Sequence, residues 1–306
     1  MKSWKLVGTA LAILMGGLAT DAVAGSYVTP RHVESPDGMK LYRFSSGALT
    51  IGKGVLQNFA EMEPPIQIPV GFYVIQHPKG NVLFDTGNND KIITDPSYWG
   101  PNFTGAQPVN TPDVAIDVQL EKIGLTPDDI DYVVVSHMHL DHGGNVGKFP
   151  NSTLIIQQDE IDYAMWPDDP FTGPFIPQDA WVLRAPVGSG QPNAMTMVTL
   201  QDEDFDIFGD GSVIVKSWQG HTRGHQMMLV RLPKTGSVIL VGDNVYFQEN
   251  VEKNLPPNLV LAYNPAGIME SYDWIRYMRA SEGAQFFTAH DPDEFKAAKK
   301  APDFYE

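Results

Sequence analysis

The fold of this chain follows from one stretch of sequence, Ser136-His137-Met138-His139-Leu140-Asp141-His142-Gly143-Gly144. It reads H-x-H-x-D-H, so four side chains that can bind a metal fall within six residues. The β-branched run at 130–135 predicts a buried strand that ends at the motif. Imidazole and carboxylate groups together suit Zn²⁺ or a similar first-row ion. The alternative is a polar surface turn that happens to carry histidines.

Composition limits the class of protein and its partners. The chain has 306 residues and a formal charge of -16 at pH 7. This length is enough for a large α/β domain with an ample core. An acidic surface repels phosphate backbones and anionic lipids, which argues against nucleic acid and membranes as partners. Because the chain has no cysteine, any metal must be held by nitrogen and oxygen ligands.

The N-terminus has the features of a secretory signal peptide. Lys2 and Lys5 precede an apolar run over residues 6–18, and Ala22-Val23-Ala24 is an A-x-A cleavage site. The apolar run is too short to span a bilayer, and an uncleaved membrane anchor is the alternative. We expect residues 1–24 to be removed and residues 25–306 to form a single domain. The mature protein is then expected to be periplasmic or secreted, without membrane contact.

One local pattern recurs along the chain. An apolar strand ends in a residue that can bind a metal at four places, 130–142, 213–221, 238–243 and 285–290. A further strand ends in Asp85-Thr86-Gly87. Asp85 is predicted to hydrogen-bond a metal-bound histidine, with a turn-capping aspartate as the alternative.

Several segments carry weaker predictions. The prolines at 64, 65 and 69 exclude the segment 61–69 from helices and central strands. The segment 197–215 contains three short apolar runs that predict an antiparallel meander. Helices are predicted at 114–123, 160–166, 270–283 and 296–300.

Residues 88–112 and 167–192 are rich in glycine, proline and aromatic residues, so we expect irregular insertions there. Loops of this length in a compact domain are usually functional or mobile. Four aromatic side chains are candidates for lining an apolar pocket, and ordinary packing is the alternative for each. They are Trp166, Phe171, Phe175 and Trp181.

The motifs together resemble the dinuclear hydrolases of the metallo-β-lactamase superfamily. The H-x-H-x-D-H motif is followed by Gly220-His221-Thr222, by Asp243 after a strand, and by the late His290. The resemblance covers nearly all of the mature chain. It implies an α/β fold, an αββα sandwich of two mixed β-sheets flanked by helices. It also implies two divalent metal ions as cofactors, with Zn²⁺ expected.

The resemblance also implies a role for each ligand. The first metal would be held by His137, His139 and His221. The second metal would be held by Asp141, His142 and His290. Asp243 would bridge both ions. His225 is not expected to bind metal, and should hydrogen-bond within its own turn.

Within the superfamily, the chain is most similar to the quorum-quenching N-acyl-homoserine lactonases. The matching segments are Ile68-Pro69-Val70, G-H-x-x-G-H-Q at 220–226, Asp243-x-x-Tyr246, and Ala289-His290-Asp291 with Ala in place of Gly. The resemblance implies that a metal-bridging hydroxide attacks the carbonyl of a small-molecule lactone or ester. Tyr246 would donate to the carbonyl or the lactone oxygen, and Asp141 could carry a proton to the leaving alkoxide.

Two other functions fit the same motifs. Organophosphate triesterases or arylesterases of this fold also keep the bridging aspartate, and a non-catalytic zinc-binding protein would keep the ligands without an open site. Class B β-lactamases are less compatible, because they carry Cys or Ser where Asp243 stands. The sequence leaves the oligomeric state open, with a homodimer as one option.

Overall fold

The computed structural model describes residues 35–100, 107–167, 173–184 and 195–306. The predicted signal peptide, residues 1–24, lies outside these residues, as do parts of both insertions, including Phe171. The described residues all fall in the unit Val33–Glu306. None of the helices described in these ranges is both long and apolar enough to cross a membrane.

Strands and helices alternate irregularly along the chain, with short 3₁₀ turns between many of them. In chain order they are β1 (Lys40–Ile51), α1 (Lys53–Leu56), β2 (Ile66–His77), β3 (Gly80–Phe84), β4 (Gln107–Val109), α2 (Ile116–Glu121), β5 (Tyr132–Val134), β6 (Thr153–Gln157), α3 (Gln158–Met165), α4 (Pro177–Ala180), β7 (Thr196–Leu200), β8 (Phe205–Asp206), β9 (Val213–Ser217), β10 (Gln226–Leu232), β11 (Gly236–Leu240), α5 (Gln248–Lys253), α6 (Pro265–Glu282), β12 (Gln285–Phe287), α7 (Pro292–Ala297) and β13 (Phe304–Tyr305).

The strands form two mixed sheets. The larger has the order β13-β1-β2-β3-β5-β6-β7, with β4 also paired to β1, and the smaller has the order β12-β11-β10-β9-β8. Strands β3, β5, β6 and β7 run parallel, whereas β1 and β2 are antiparallel. In the smaller sheet, β11 and β12 are parallel and the other pairs are antiparallel. The predicted two-sheet architecture is confirmed.

Side-chain alternation builds three apolar layers. In β2, Tyr73 and Ile75 point between the sheets and share a core with Val230 of the smaller sheet. Phe72 and Val74 point to the opposite face, into a core shared with α2 and α3. The outer face of the smaller sheet packs against α5 and α6. Two sheets with helices outside both faces make the αββα sandwich.

The strand directions bring the predicted ligands to one end of the sandwich. Strands β9 and β11 are both antiparallel to β10, and β12 is parallel to β11, so all three end at the same edge of the smaller sheet. Strands β3 and β5 are parallel and end at one edge of the larger sheet. The segments that follow β5, β9, β11 and β12 carry the predicted ligands. The predicted strand-tip pattern is therefore confirmed.

The exclusion of 61–69 from central strands is wrong for its second half. Residues from Ile66 onward belong to β2, which lies between β1 and β3. Pro69 pairs with Ala48 beside a bulge in β1, between Ser45 and Ala48. A bulge leaves a local gap in the ladder of hydrogen bonds, so a residue without an N–H is tolerated there.

The predicted meander at 197–215 is confirmed for its last two strands, β8 and β9, which pair antiparallel, and is wrong for its first. Strand β7 pairs with β6 in the larger sheet, whereas β8 and β9 belong to the smaller one.

Two helices begin earlier in the chain than predicted, because capping side chains set where they start. Helix α6 begins at Pro265, since Asn264 accepts a hydrogen bond from the N–H of Gly267. The basic segment 296–300 largely follows α7, whose start is set by the capping side chain of Asp291.

Candidate metal centre

The H-x-H-x-D-H segment is folded into turns, not extended, and residues after β3 hold it. Thr86 donates to the carbonyl of His142 from both its N–H, at 2.7 Å, and its hydroxyl, at 2.9 Å. Asp85 accepts the N–H of Ser136 at 2.6 Å, from a backbone conformation with φ of 62°. Asp tolerates this left-handed conformation better than most residues. The turns bury the rings of all three histidines in the motif.

The first predicted ligand set comes together in space. His137 and His139 follow β5, and His221 follows β9. One nitrogen from each ring lies within 4.8 Å of the others. The closest pair is Nδ1 of His139 and Nε2 of His221, which are 2.8 Å apart. Three imidazoles that converge in this way can occupy three positions of one tetrahedral ion.

The second predicted set also converges, beside the first. Asp141, His142 and His290 offer atoms within 4.8 Å of one another. The Nε2 atoms of His142 and His290 are 3.2 Å apart, and Asp141 Oδ2 is 3.5 Å from Nε2 of His290. His290 follows β12, so this set draws on both sheets.

The carboxylate of Asp243 lies between the two sets. Its Oδ1 is 3.0 Å from Nε2 of His142 and 3.1 Å from Nε2 of His290. Its Oδ2 is 3.6 Å from Nε2 of His221 and 3.9 Å from Nε2 of His137. Each oxygen thus faces one set, which is the arrangement a bridging ligand requires.

His225 supports Asp243 from outside both sets. Its Nε2 accepts the N–H of Asp243 at 3.2 Å, and its carbonyl accepts the N–H of Trp218 at 2.9 Å, so the predicted bond within its own turn is also present. Gly242 allows this approach, because a Cβ there would lie 2.6 Å from that nitrogen and its φ is +54°.

The ring nitrogens that face away from the centre have fixed acceptors. His142 Nδ1 is 2.9 Å from Asp85 Oδ2, so the predicted contact of Asp85 with a candidate ligand is present. The carbonyl of Pro69 lies 2.8 Å from Nδ1 of His290, and the carbonyl of Leu261 lies 2.6 Å from Nδ1 of His221. Such contacts fix which nitrogen carries the proton and leave the inner nitrogen free for a metal.

The electrostatics of the first ligand set and of the bridging carboxylate fit a divalent cation. In the second set, burial lowers the pKa of His142 and of His290, but Asp243 outweighs it and raises both, so an ion there would displace protons. Burial, with neighbouring histidines, holds the pKa of His137 and of His139 well below the usual value, so both are neutral. Burial raises the pKa of Asp243, but His142 and His290 outweigh it and leave that pKa well below its usual range. The buried Nε2 of His137 has no hydrogen-bond partner among the described residues. Neutral imidazoles and ionised carboxylates are the forms that bind a metal.

Tyr246 lies against the centre without being a candidate ligand. Its hydroxyl is 3.2 Å from Nδ1 of His221, and its ring stacks beside that of His290 with centroids 6.0 Å apart. Burial, together with the charges of Asp243 and Asp141, raises the pKa of this phenol well above its usual value. The side chain therefore keeps its proton and can act as a donor.

Sequence patterns missed one buried carboxylate, Glu160 in the first turn of α3. It accepts the N–H of Met138 at 2.7 Å, the hydroxyl of Thr222 at 2.5 Å and the N–H of Gly224 at 3.2 Å. Burial raises its pKa to about 7, while these hydrogen bonds act in the opposite direction. No local pattern marked it, because the neighbouring Gln158, Asp159 and Asp162 make this turn of the helix look solvent-exposed.

The insertions cover one side of the centre. The ring of Phe175 meets that of His139 edge-on, with centroids 4.6 Å apart, and the N–H of Leu140 donates to the carbonyl of Pro174 at 2.9 Å. Phe175 also lines a cavity of about 450 Å³ with Trp99 and Met165. Trp166 and Trp181 are largely exposed, so of the four predicted pocket aromatics only Phe175 lines this cavity among those described.

The two insertions are joined by one side chain, Asp179. Its Oδ1 accepts the hydroxyl of Tyr98 and the Nδ2 group of Asn89, both at 2.7 Å. Asn89 also donates to the carbonyl of Gly144, which follows the metal motif. We call Asn89, Tyr98 and Asp179 the insertion contact. It connects the first insertion, which contains Asn89 and Tyr98, to the second insertion, which contains Asp179.

Comparison with known proteins agrees with this geometry. Residues 68–290 match the family described as the metallo-beta-lactamase superfamily. The chain belongs to this superfamily. It is 34% identical over 271 residues to the N-acyl homoserine lactonase AttM of Azorhizobium caulinodans, a match that covers 88% of this chain and 99% of that protein. The predicted resemblance to lactonases of this superfamily is confirmed.

Solved structures share the fold. An N-acyl homoserine lactone hydrolase, solved with the product N-hexanoyl-L-homoserine at its catalytic metal centre, matches with a TM-score of 0.73 at 23% identity, over 87% of this chain and 98% of that one. AidC, described as a dizinc quorum-quenching lactonase, matches with a TM-score of 0.61 at 17% identity, over 87% and 93%. These matches support the two-sheet sandwich.

Proposed function

We propose that this member of the superfamily is a metal-dependent lactonase that opens the ring of N-acyl-homoserine lactones. The observation that carries the proposal is the position of Asp243, with one oxygen facing each of two converging ligand sets. A relative 34% identical over nearly its whole length is an N-acyl homoserine lactonase. The buried donor Tyr246 beside the ligands adds the group that ester hydrolysis needs.

The ligand sets favour two ions, with Zn²⁺ as the proposed metal. Histidine nitrogen and carboxylate oxygen are common zinc ligands, and the structural neighbour AidC is described as a dizinc enzyme. When bound, such ions acidify a water molecule and polarise a carbonyl oxygen. The proposed ligands are His137, His139 and His221, then Asp141, His142 and His290, with Asp243 shared.

The chain's own groups orient the substrate and handle its charge. If Nε2 of His221 binds a metal, Nδ1 carries the proton, and the carbonyl of Leu261 at 2.6 Å accepts it. The hydroxyl of Tyr246, 3.2 Å from the same nitrogen, cannot then donate to it. In the protein alone the phenol interacts with the carboxylate of Asp243, and a bound lactone would offer it the carbonyl or the ring oxygen, where negative charge develops.

Substrate must approach from the side of His139 and Asp141, which at 7% and 8% exposed are the most accessible of the proposed ligands. Asp141 lies 3.5 Å from Nε2 of His290 and 3.9 Å from Nε2 of His142. It is therefore the carboxylate placed to pass a proton to the alkoxide that leaves when the ring opens.

Export belongs to the same proposal. Its support is the N-terminal sequence, in which Lys2 and Lys5, an apolar run and Ala22-Val23-Ala24 form a signal peptide. We propose a periplasmic or secreted enzyme. N-terminal sequencing of protein recovered from the cell envelope or medium should begin at Gly25, and an intact Met1 would contradict cleavage.

The function is tested by a pH-stat assay of metal-loaded protein on homoserine lactones of increasing acyl length, with metal analysis of the same sample. We expect ring opening and about two ions per chain. Paraoxon and aryl esters form the second arm of the assay. Faster hydrolysis of paraoxon than of any lactone would favour a phosphotriesterase, and metal-loaded protein silent on all substrates would favour a non-catalytic protein.

A further inference from the structure

Two separate chain segments supply the first ligand set, and something must hold them at a fixed distance. The motif loop, residues 137–142, leaves the larger sheet, and the glycine loop, residues 220–225, leaves the smaller one. Their bases are joined where the N–H of Gln226 donates to the carbonyl of Ser136 at 2.9 Å. Farther out, the loops meet at Glu160.

We propose that Glu160 is a positioning residue that holds these two loops in register for metal binding. Its two oxygens divide between the loops. Oε1 accepts the N–H of Met138, which lies between His137 and His139. Oε2 accepts the hydroxyl of Thr222, next to His221, and the N–H of Gly224. A shift of the carboxylate therefore moves ligands of the first set from both sides.

The glycine loop is shaped for this contact. A Cβ at Gly224 would lie 2.1 Å from the backbone nitrogen of Glu160, so only glycine allows the loop to approach α3 so closely. Glu160 is fully buried, and no lysine or arginine in the described ranges forms an ion pair with it. A buried carboxylate without a countercharge is costly, so its retention here points to a role beyond packing.

Substitution by glutamine tests the role at nearly constant volume. A carboxamide has one acceptor oxygen, and its NH₂ can donate to the hydroxyl of Thr222 but not to an N–H, so it should face the glycine loop, where the contact with Gly224 is lost. The second ligand set draws on the motif loop and β12 but not on the glycine loop. Glu160→Gln should therefore weaken one ion much more than the other.

The experiment is competition between metal-free protein and a chromophoric chelator for Zn²⁺. We expect Glu160→Gln to lose roughly 10–100-fold in affinity for one ion and less than about threefold for the other. His221→Ala, which removes a ligand of the first set alone, identifies the weakened ion. Asp162→Asn is the matched control, because Asp162 lies on the same helix as Glu160 but its carboxylate accepts a hydrogen bond from Gln158 of that helix.

Wild-type affinity for both ions in a folded Glu160→Gln protein would overturn the proposal, as would an equal loss at both. If Glu160→Gln does not fold, Thr222→Val decides: selective weakening of the first ion, restored in Thr222→Ser, supports the role, and unchanged binding overturns it.

This proposal rests on the metal site of the proposed function but not on its substrate. A silent wild-type protein with a selective Glu160 effect would contradict the lactonase alone, and an active protein without that effect would contradict the positioning role alone.

Discussion

The metal centre and the insertion contact are both built around buried carboxylates, yet they are held very differently. At the metal centre, the two oxygens of Asp243 face separate ligand sets, and both oxygens of Glu160 are hydrogen-bonded. At the insertion contact, Oδ1 of Asp179 accepts both hydrogen bonds, while its buried Oδ2 has no partner among the described residues.

The difference indicates that the two regions have different roles. Groups that must hold ions within fractions of an ångström are fixed by many contacts from two sheets. The segments that border the approach to the centre are connected by apolar packing of Ile92 and Trp99 with Ile176 and by the hydrogen bonds of Asp179. Changes to the ligands should therefore remove metal and chemistry together, whereas changes at the insertion contact should alter stability and access with the centre intact.

Removal of the bridge should have the largest effect. Asp243→Ala removes the shared ligand, and His139→Ala removes a ligand of the first set. For each variant we expect loss of bound metal and no measurable lactone turnover. Metal analysis and the pH-stat assay check both. His77→Ala is the control, since His77 is a buried histidine that stacks on Phe208 far from the motif. Normal metal content in Asp243→Ala would remove the bridging assignment.

Tyr246→Phe should separate chemistry from metal binding. It deletes a phenol donor beside the centre, and loss of a donor to a developing oxyanion lowers kcat on the order of 100-fold. Metal content should stay at the wild-type level, because Tyr246 is not in either ligand set. Tyr272→Phe is the control, a buried tyrosine on α6 within another core. Full activity in Tyr246→Phe would end its catalytic assignment.

Asp85→Asn should weaken one ion without emptying the site. The amide group would place a donor opposite Nδ1 of His142, which itself donates when Nε2 binds metal. We expect the affinity for the second ion to fall by about 10–100-fold, measured by chelator competition. Asp131→Asn, at the far end of the same pair of strands, provides the comparison. Unchanged affinity would show that Asp85 only caps its turn.

The smallest effect is expected at the insertion contact. Burial raises the pKa of Asp179 to about 7, with Lys91 and the hydrogen bonds from Tyr98 and Asn89 acting in the opposite direction. A raised folded-state pKa means that the folded protein binds the extra proton, so this group's contribution to stability is present below pH 4 and falls as pH rises through 7. Asp179→Asn removes this loss of stability at high pH. The amide oxygen of the new side chain can still accept the hydrogen bonds from Tyr98 and Asn89.

Thermal unfolding of metal-loaded protein at pH 6 and at pH 8.5 measures the effect. The melting temperature of Asp179→Asn, relative to wild type, should be higher at pH 8.5 than at pH 6, by about 2–4 °C for each kcal/mol gained. Metal content should not change. A difference independent of pH would show that Asp179 titrates normally, and loss of metal would contradict the separation between the two regions.

The sequence alone determined the superfamily, the two-sheet sandwich and the candidate ligands, because metal-ligating chemistry is restricted to few residue types and the motif is dense. Local patterns also located the strands β5, β9, β11 and β12, whose apolar runs end at those ligands. The same patterns misplaced β7, which pairs with β6 and not with β8, since alternation reveals a strand but not its partner.

Only the tertiary structure decided how the ligands are supported. The sequence predicts that Pro69 breaks a strand. In the structure, its carbonyl orients the ring of His290, which lies 221 positions further along the chain. Glu160 and Asp179 had no local signal, because a carboxylate in a short helical segment is usually solvated. Their burial and partners depend on segments brought together from distant parts of the chain. Residue type determines which groups can bind a metal, but packing determines which nitrogen faces it.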